Sequence, residues 1–309
     1  FKDRIDSKRL IEEFMVLANV AAAETLIARK TSLLYRVHEE PAKEKIDALR
    51  ETAQASGLTL AKGQVLKTTH INALLNEARD TDDRELINMS TLRSMTQAYY
   101  SPDNIGHFGL ALQAYTHFTS PIRRYADLIV HRALITAHGW GDDGLIDAEV
   151  ERLNITAEHI SNTERRSMAA ERDTVDRYLA AYLSERKGIA FKGCISGIVK
   201  FGVFIRLDET GAEGLVPVRS IAREFFHHDK SSNTLIGSDS GLVLTLGQRV
   251  LVRLAETAAE SGGITFDLLE VEDGTLPSVV GSRRFLRKAK RGKSHTRRLK
   301  VSRNRKKRN

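Results

Sequence analysis

The run HFTSPIRRYADLIVHR, residues 117–132, gathers side chains that could do chemistry: Arg123, Arg124, Asp127 and His131. Ser120 offers a capping hydroxyl and Pro121 a ring already set at helical φ, so the spacing predicts a helix starting at Pro121. Ile122, Tyr125, Ala126, Ile129 and Ala133 then form an apolar stripe, and the four polar residues share the opposite face. That places two cations in a first helical turn, where the dipole disfavours them by up to about 1 kcal/mol. A bound anion reverses the sign. Free N–H groups at a helix start attract phosphate, and a guanidinium clamps it through two bonds. The plainer alternative is an Arg123–Asp127 pair on a solvated face, worth about 0.3–0.5 kcal/mol. Asp127 and His131, with His107 or His117, also have the types of metal ligands, although a surface Asp–His pair is the commoner outcome of that spacing.

Two further patterns carry chemistry. Across 163–186, Met168, Val175, Leu179 and Tyr182 make an apolar stripe, with Glu164 and Glu171 on the same side. A carboxylate there must be paired, protonated or bound to a cation. A buried salt bridge to Arg124 or Arg165 and a site carboxylate both remain open. In GCISGIVKFGVFIRL, Phe201 and Phe204 stand near Lys192, Lys200 and Arg206. Exposed aromatics among cations stack single-stranded bases for roughly 1–3 kcal/mol each; the alternative is two core rings. Gly202 between them is a candidate bulge that would turn both to one face.

The elements that must position these residues change character along the chain. Helices are expected over 7–29 (stripe Leu10, Phe14, Leu17, Ala18, Ala21), about 41–55, 69–79 and 84–100. HFGLALQAYTHF, 107–118, reads as a strand or a buried extended segment, and helices at 147–161 and 163–186 follow the helix from Pro121. From Gly188 the texture becomes short β-rich runs punctuated by glycine. Five such runs fit a small closed barrel, with an OB-fold as the leading candidate. The division expected is 1–188, 189–272 and a tail 273–309.

Charge separates the tail from the rest. The 309 residues carry a net charge of +8, yet residues 283–309 hold 15 Lys and Arg and no Asp or Glu. The remainder keeps 33 basic residues against all 40 acidic ones, a balance of −7. Such a tail has too little apolar surface to fold alone and suits nucleic acid. Cys194 is the single cysteine, which excludes a disulfide framework or a multi-cysteine zinc site within the chain and makes the cytoplasm the natural compartment. No apolar run reaches a membrane-spanning length. The start FKDRIDSKRL runs almost directly into a helix pattern, as a piece of a longer chain would.

HFGLALQAYTHFTSPIRRYADLIVHR resembles the signature of the RNase II/RNase R (RNB) family of 3′→5′ exoribonucleases. RLIEEFMVLANVAAAETL is similar to the family's upstream helix, and SGIVKFGVFIRLDETGAEGLVPVRSI to its OB-fold of ribosomal protein S-one type. The basic tail points to the RNase R branch. The resemblance implies an α+β chain: the C-terminal part of an RNB-type catalytic domain, an OB-fold barrel, then a disordered basic tail. It implies hydrolysis of single-stranded RNA to nucleoside 5′-monophosphates with Mg²⁺. Arg123 is similar to the family arginine that grips the scissile phosphate, Glu171 to a carboxylate of the active centre, and Glu12 to a polar residue near the bases. Arg124, Tyr125 and His131 fall in the signature as RNA-contacting or supporting residues. Lys192, Lys200, Phe201, Phe204 and Arg206 are expected to bind RNA in the barrel, and Arg283, Arg284 and Lys288 in the tail. Ribosomes or structured RNA are further partners for the tail, and the protein is expected to be a monomer.

Two departures matter. The family's metal-holding aspartates have no counterpart in 1–309, since DTDD at 80–83 falls between helices, so the Mg²⁺ ligands are expected outside this chain and 1–309 alone is expected to be inactive. Pro217 stands where such barrels often carry an RNA-contacting histidine. A non-catalytic RNA-binding module and an inactive paralogue are the alternatives.

Overall fold

The computed structural model describes residues 5–60, 66–81, 83–229 and 234–272. Arg283, Arg284 and Lys288 lie outside them. The chain divides into two compact units at Val175/Asp176.

The first unit contains α1 (Asp6–Ala28), β1 (Tyr35–Val37), α2 (Lys43–Ala55), α3 (Thr68–Glu77), α4 (Arg84–Ser94), β2 (Tyr99–Ser101), α5 (Tyr125–His138) and α6 (Asp147–Val150). The long helix α7 (Leu153–Leu183) runs past its end. Two cores form. One joins Ala22, Ala23 and Leu26 of α1 to Ala126, Ile129, Val130 and Ala133 of α5. The other is made by α2 to α4 around Ile46, Leu49, Leu74 and Ile87. β1 and β2 pair antiparallel, Tyr35 opposite Ser101.

Several expectations are corrected here. The helix expected over 84–100 ends at Ser94, because Tyr99–Ser101 is drawn into the ladder with β1. Residues 107–118 form no regular strand; a 3-10 turn spans Phe108–Leu110, followed by Ala111 at φ 55°. Beyond it the segment is extended and buried at Tyr115 and Thr116, where Arg36 donates its N–H to the Tyr115 carbonyl at 2.9 Å. The break expected near 162 does not occur. Ser161 and Thr163 turn their hydroxyls onto the carbonyls of Ala157 and Ile160, so these residues are satisfied inside α7. The stripe of α1 is not core: Leu10, Phe14 and Leu17 are exposed, and burial is confined to its C-terminal half, at Asn19, Ala22, Ala23 and Leu26. Met168, Val175 and Tyr182 of α7 are likewise exposed.

The second unit contains β3 (Ala190–Val199), β4 (Gly202–Leu207), β5 (Glu213–Pro217), α8 (Val218–Ile221), β6 (Phe226–Asp229), β7 (Thr234–Gly237), β8 (Val243–Thr245), β9 (Arg249–Ala258) and β10 (Gly263–Val271). The five strands expected from the sequence close a barrel in the order β10-β5-β4-β3-β9. Val203, Ile205 and Leu207 alternate inward, with Val216, Val252 and Phe266 in the same interior. The closing contact is parallel, Leu215 beside Thr265. Gly214 makes it feasible, since a Cβ there would strike the Phe266 ring and approach the Ile264 carbonyl at 2.9 Å. The register shift lies on β3 between Ile195 and Gly197, not at Gly202. A separate sheet, β6-β7-β8, was not anticipated. Among the described residues no helix is long and apolar enough to cross a membrane.

Candidate functional site

The SPIRR run is not helical. Pro121–Arg123 form a turn in which the Arg123 and Arg124 N–H groups donate to the Ser120 carbonyl at 3.3 and 3.2 Å. Arg124 is the extended N-cap residue of α5, with φ −128° and ψ 121°. Ile122 is therefore fully exposed and Tyr125 half exposed, and the expected stripe survives only at Ala126, Ile129 and Ala133.

Asp127 decides this geometry. Its buried carboxylate accepts from the Ser120 N–H at 2.7 Å, from Arg124 Nε at 2.7 Å and from Arg124 Nη2 at 2.8 Å. It folds the turn back over the helix start, where a negative charge also suits the dipole. The ion pair is thus Arg124–Asp127, not Arg123–Asp127. Arg123 is exposed, and its guanidinium has no partner among the described residues. The two arginines are divided: one is committed to the fold, the other free.

Behind the turn, residues 115–118 are fixed by Asn19, which the sequence alone does not single out, and by His131, which it does. Asn19, buried on α1, donates to the Tyr115 hydroxyl at 3.0 Å and accepts from the Phe118 N–H at 2.9 Å. Its only sequence signal was an amide on the alanine-rich side of a helix. His131 meets the Phe118 carbonyl through Nε2 at 2.9 Å and stacks on the Phe118 ring at 4.5 Å, so it holds this segment. A pocket of about 560 Å³ opens here, with Lys8, Glu12, Asn19, Tyr115 and Arg124 in its lining. Glu12 and Arg124, chosen from distant motifs, therefore share one cavity.

A second network adjoins it. Arg36 makes two bonds to Glu164, at 2.6 and 3.0 Å, and its guanidinium lies 4.7 Å from the centre of the Tyr100 ring. Glu164 is thus paired, but with Arg36 and not with Arg124 or Arg165. The Tyr100 hydroxyl and His117 Nδ1 are 2.8 Å apart. Burial pushes Tyr100 up to about 12 and, helped by the Arg124 and Arg36 charges, pushes His117 down to about 3. His107 is lowered to about 4 by burial and by His38. Both rings are neutral at pH 7.

Glu171 is exposed on α7 with no partner among the described residues. No group of three or more His, Cys, Asp or Glu among the described residues is placed to hold a metal ion. Asp127 is taken by Arg124 and Glu164 by Arg36, so the donors here do not fit Mg²⁺, which needs carboxylate oxygens in near-octahedral array.

On the barrel, Phe201 is exposed, in the turn before β4, with Lys200 beside it and Lys192 exposed on β3. Phe204 and Arg206 alternate with the inward residues of β4 and are half-buried; Arg206 Nη2 lies 3.9 Å from Cys194 Sγ. Pro217 is the N-cap of α8.

Residues 1–138 match the RNB domain and residues 185–268 the S1 RNA binding domain. The Ribonuclease R of Escherichia coli (strain K12) is 38% identical over 297 residues, covering 94% of this chain and 36% of that protein. The chain belongs to the RNase R family. Two structures of Mycoplasma genitalium RNase R, the apo form and a complex with ribose methylated single-stranded RNA, each superpose with a TM-score of 0.80 at 33% identity. Each match covers 87% of this chain and 42% of the other. The matched residues place α1 to α5 in an RNB domain and the closed barrel in an S1 domain of OB-fold type. The chain spans about a third of the length of the curated RNase R relatives it matches.

Proposed function

We propose that the full-length protein is a 3′→5′ exoribonuclease that hydrolyses single-stranded RNA to nucleoside 5′-monophosphates in the cytoplasm, acting as a monomer. Residues 1–188 supply part of its catalytic domain, 189–272 an RNA-binding barrel, and 273–309 a basic tail that adds sequence-independent affinity for RNA, including ribosomal or structured RNA. Mg²⁺ is held mainly by residues outside this chain, and 1–309 alone binds RNA without degrading it.

The observation that carries this reading is the division between the arginines. Asp127 neutralises Arg124 and anchors the turn, which leaves Arg123 presented beside it with a guanidinium that has no partner among the described residues. A rigidly based, unpaired guanidinium suits a phosphate whose negative charge grows during displacement. Glu12, on the same cavity as Arg124, is suited to hydrogen-bond a base or ribose of the terminal nucleotides. Glu171 is a carboxylate of the complete centre. Phe201 and Phe204, with Lys192, Lys200 and Arg206, stack bases and pair phosphates on the incoming strand. Tyr125 and His131 support the turn that carries Arg123.

The test is steady-state kinetics of the full-length protein on a 3′-hydroxyl oligoribonucleotide. Arg123→Lys should lower kcat far more than it weakens RNA affinity, because an ammonium cannot reproduce the fork. Unchanged turnover would remove Arg123 from the site. Mg²⁺-dependent mononucleotide release by 1–309 would show that the chain holds the metal itself.

A further inference from the structure

Two pockets lie side by side on the helical part of the first unit, between α3, α4 and the Phe108–Leu110 turn. The first, about 360 Å³, is lined by Phe108 and His38, whose rings stack at 6.2 Å, and by the apolar Ile71 and Met95. The second, about 390 Å³, is polar and is lined by Arg79 and Arg84. Asn72, Leu75 and Asn88 line both, so the two adjoin.

Each part has groups a ligand would use. The Phe108–His38 stack offers flat aromatic surface. The Asn72 and Asn88 amides have no hydrogen-bond partner among the described residues, and each can both donate and accept. Thr91, only 6% exposed, lines the first pocket, and its buried hydroxyl has no partner among the described residues, an arrangement that costs about 1–3 kcal/mol. In the second pocket Arg79 donates to the Asn76 amide oxygen at 2.7 Å, while the Arg84 guanidinium has no partner among the described residues. Aromatic surface with amides suits a heterocycle that bears donors and acceptors on its edge. Guanidinium next to it suits a phosphate.

We propose that these adjoining pockets together form a nucleotide-binding site, with the base against Phe108 and the phosphate reaching past Asn72 and Asn88 toward Arg79 and Arg84. The volumes are those of small-ligand sites. The occupant is a nucleoside monophosphate, free or as one unit of an RNA strand. Phe108 and Gly109 line the aromatic pocket, and the next residue, Leu110, lines the Arg124 pocket. The proposal stands whether or not the full-length protein degrades RNA.

The test is calorimetric titration of chain 1–309 with AMP, adenosine, inorganic phosphate and a short oligoadenylate. AMP should saturate one site, and adenosine and phosphate should each bind about ten-fold more weakly or less. Arg84→Ala and Asn88→Ala change exposed side chains and should each weaken AMP by about five-fold, roughly 1 kcal/mol. Thr91→Val, checked by circular dichroism for an intact fold, should weaken it as well. If AMP gives no heat but oligoadenylate loses affinity in the same two exposed variants, the occupant is a nucleotide within a strand and the site stands. Phosphate binding as tightly as AMP, with Asn88→Ala inert, would make this an anion site and overturn the proposal. So would AMP and oligoadenylate affinities that ignore both exposed variants.

Discussion

Arg124 holds the buried Asp127 carboxylate through Nε and Nη2, and the same carboxylate draws in the Ser120 N–H at 2.7 Å. Removing the guanidinium leaves a buried charge without its counter-ion. Arg124→Ala should therefore cost about 3–5 kcal/mol of unfolding free energy. Arg123→Ala, at an exposed side chain, should stay within about 0.5 kcal/mol of the parent. Urea denaturation of the two variants checks this. An Arg124→Ala/Asp127→Ala double variant should recover part of the loss, since the orphaned charge goes too.

Acid should loosen the first unit before carboxylates begin to titrate. His117 is lowered to about 3 in the folded protein, so from pH 6.5 downward the unfolded chain binds a proton that the folded one refuses. Stability then falls as pH drops, by at most about 1.4 kcal/mol per pH unit from this ring. His107, lowered to about 4, acts in the same direction. His117→Gln should flatten the slope between pH 6.5 and 4 in thermal melts.

The seam of the barrel should tolerate no side chain at Gly214. A methyl group there meets the Phe266 ring and the Ile264 carbonyl. Gly214→Ala should cost about 1–3 kcal/mol, read as a lower denaturation midpoint of the second unit.

Phe201 and Phe204 should respond differently to truncation. Phe201 is 61% exposed, so Phe201→Ala should spare stability while weakening single-stranded RNA by roughly 1–3 kcal/mol, read by fluorescence anisotropy. Phe204→Ala should lower both, because its half-buried ring also packs on the barrel wall.

The barrel was legible because its signals are local. Alternating apolar residues and glycine-marked turns set all five strands, and the same is true of Ile46, Leu49 and Ala53 on α2. The SPIRR turn was misread because Ser-Pro is an honest start signal that Asp127, seven residues on, overrides by bonding the Ser120 N–H. The pairing of Glu164 with Arg36 joins residues far apart in the chain, and no spacing rule reaches that distance. The stripes on α1 and α7 misled in another way. Periodicity says which residues share a face, but not whether another element covers it.

The β1–β2 pairing has a consequence for the order in which the chain assembles. Tyr35 finds its ladder partner at Ser101, and the helices described between them are α2 to α4, whose buried core runs from Ile46 to Ile87. A chain made from its N-terminus contains every residue of that three-helix core before the partner of β1 is made. The Arg36–Glu164 bridge closes later still. By contact order the helical subcore should form early, and docking of the Arg124 turn should fall in a slower, long-range phase.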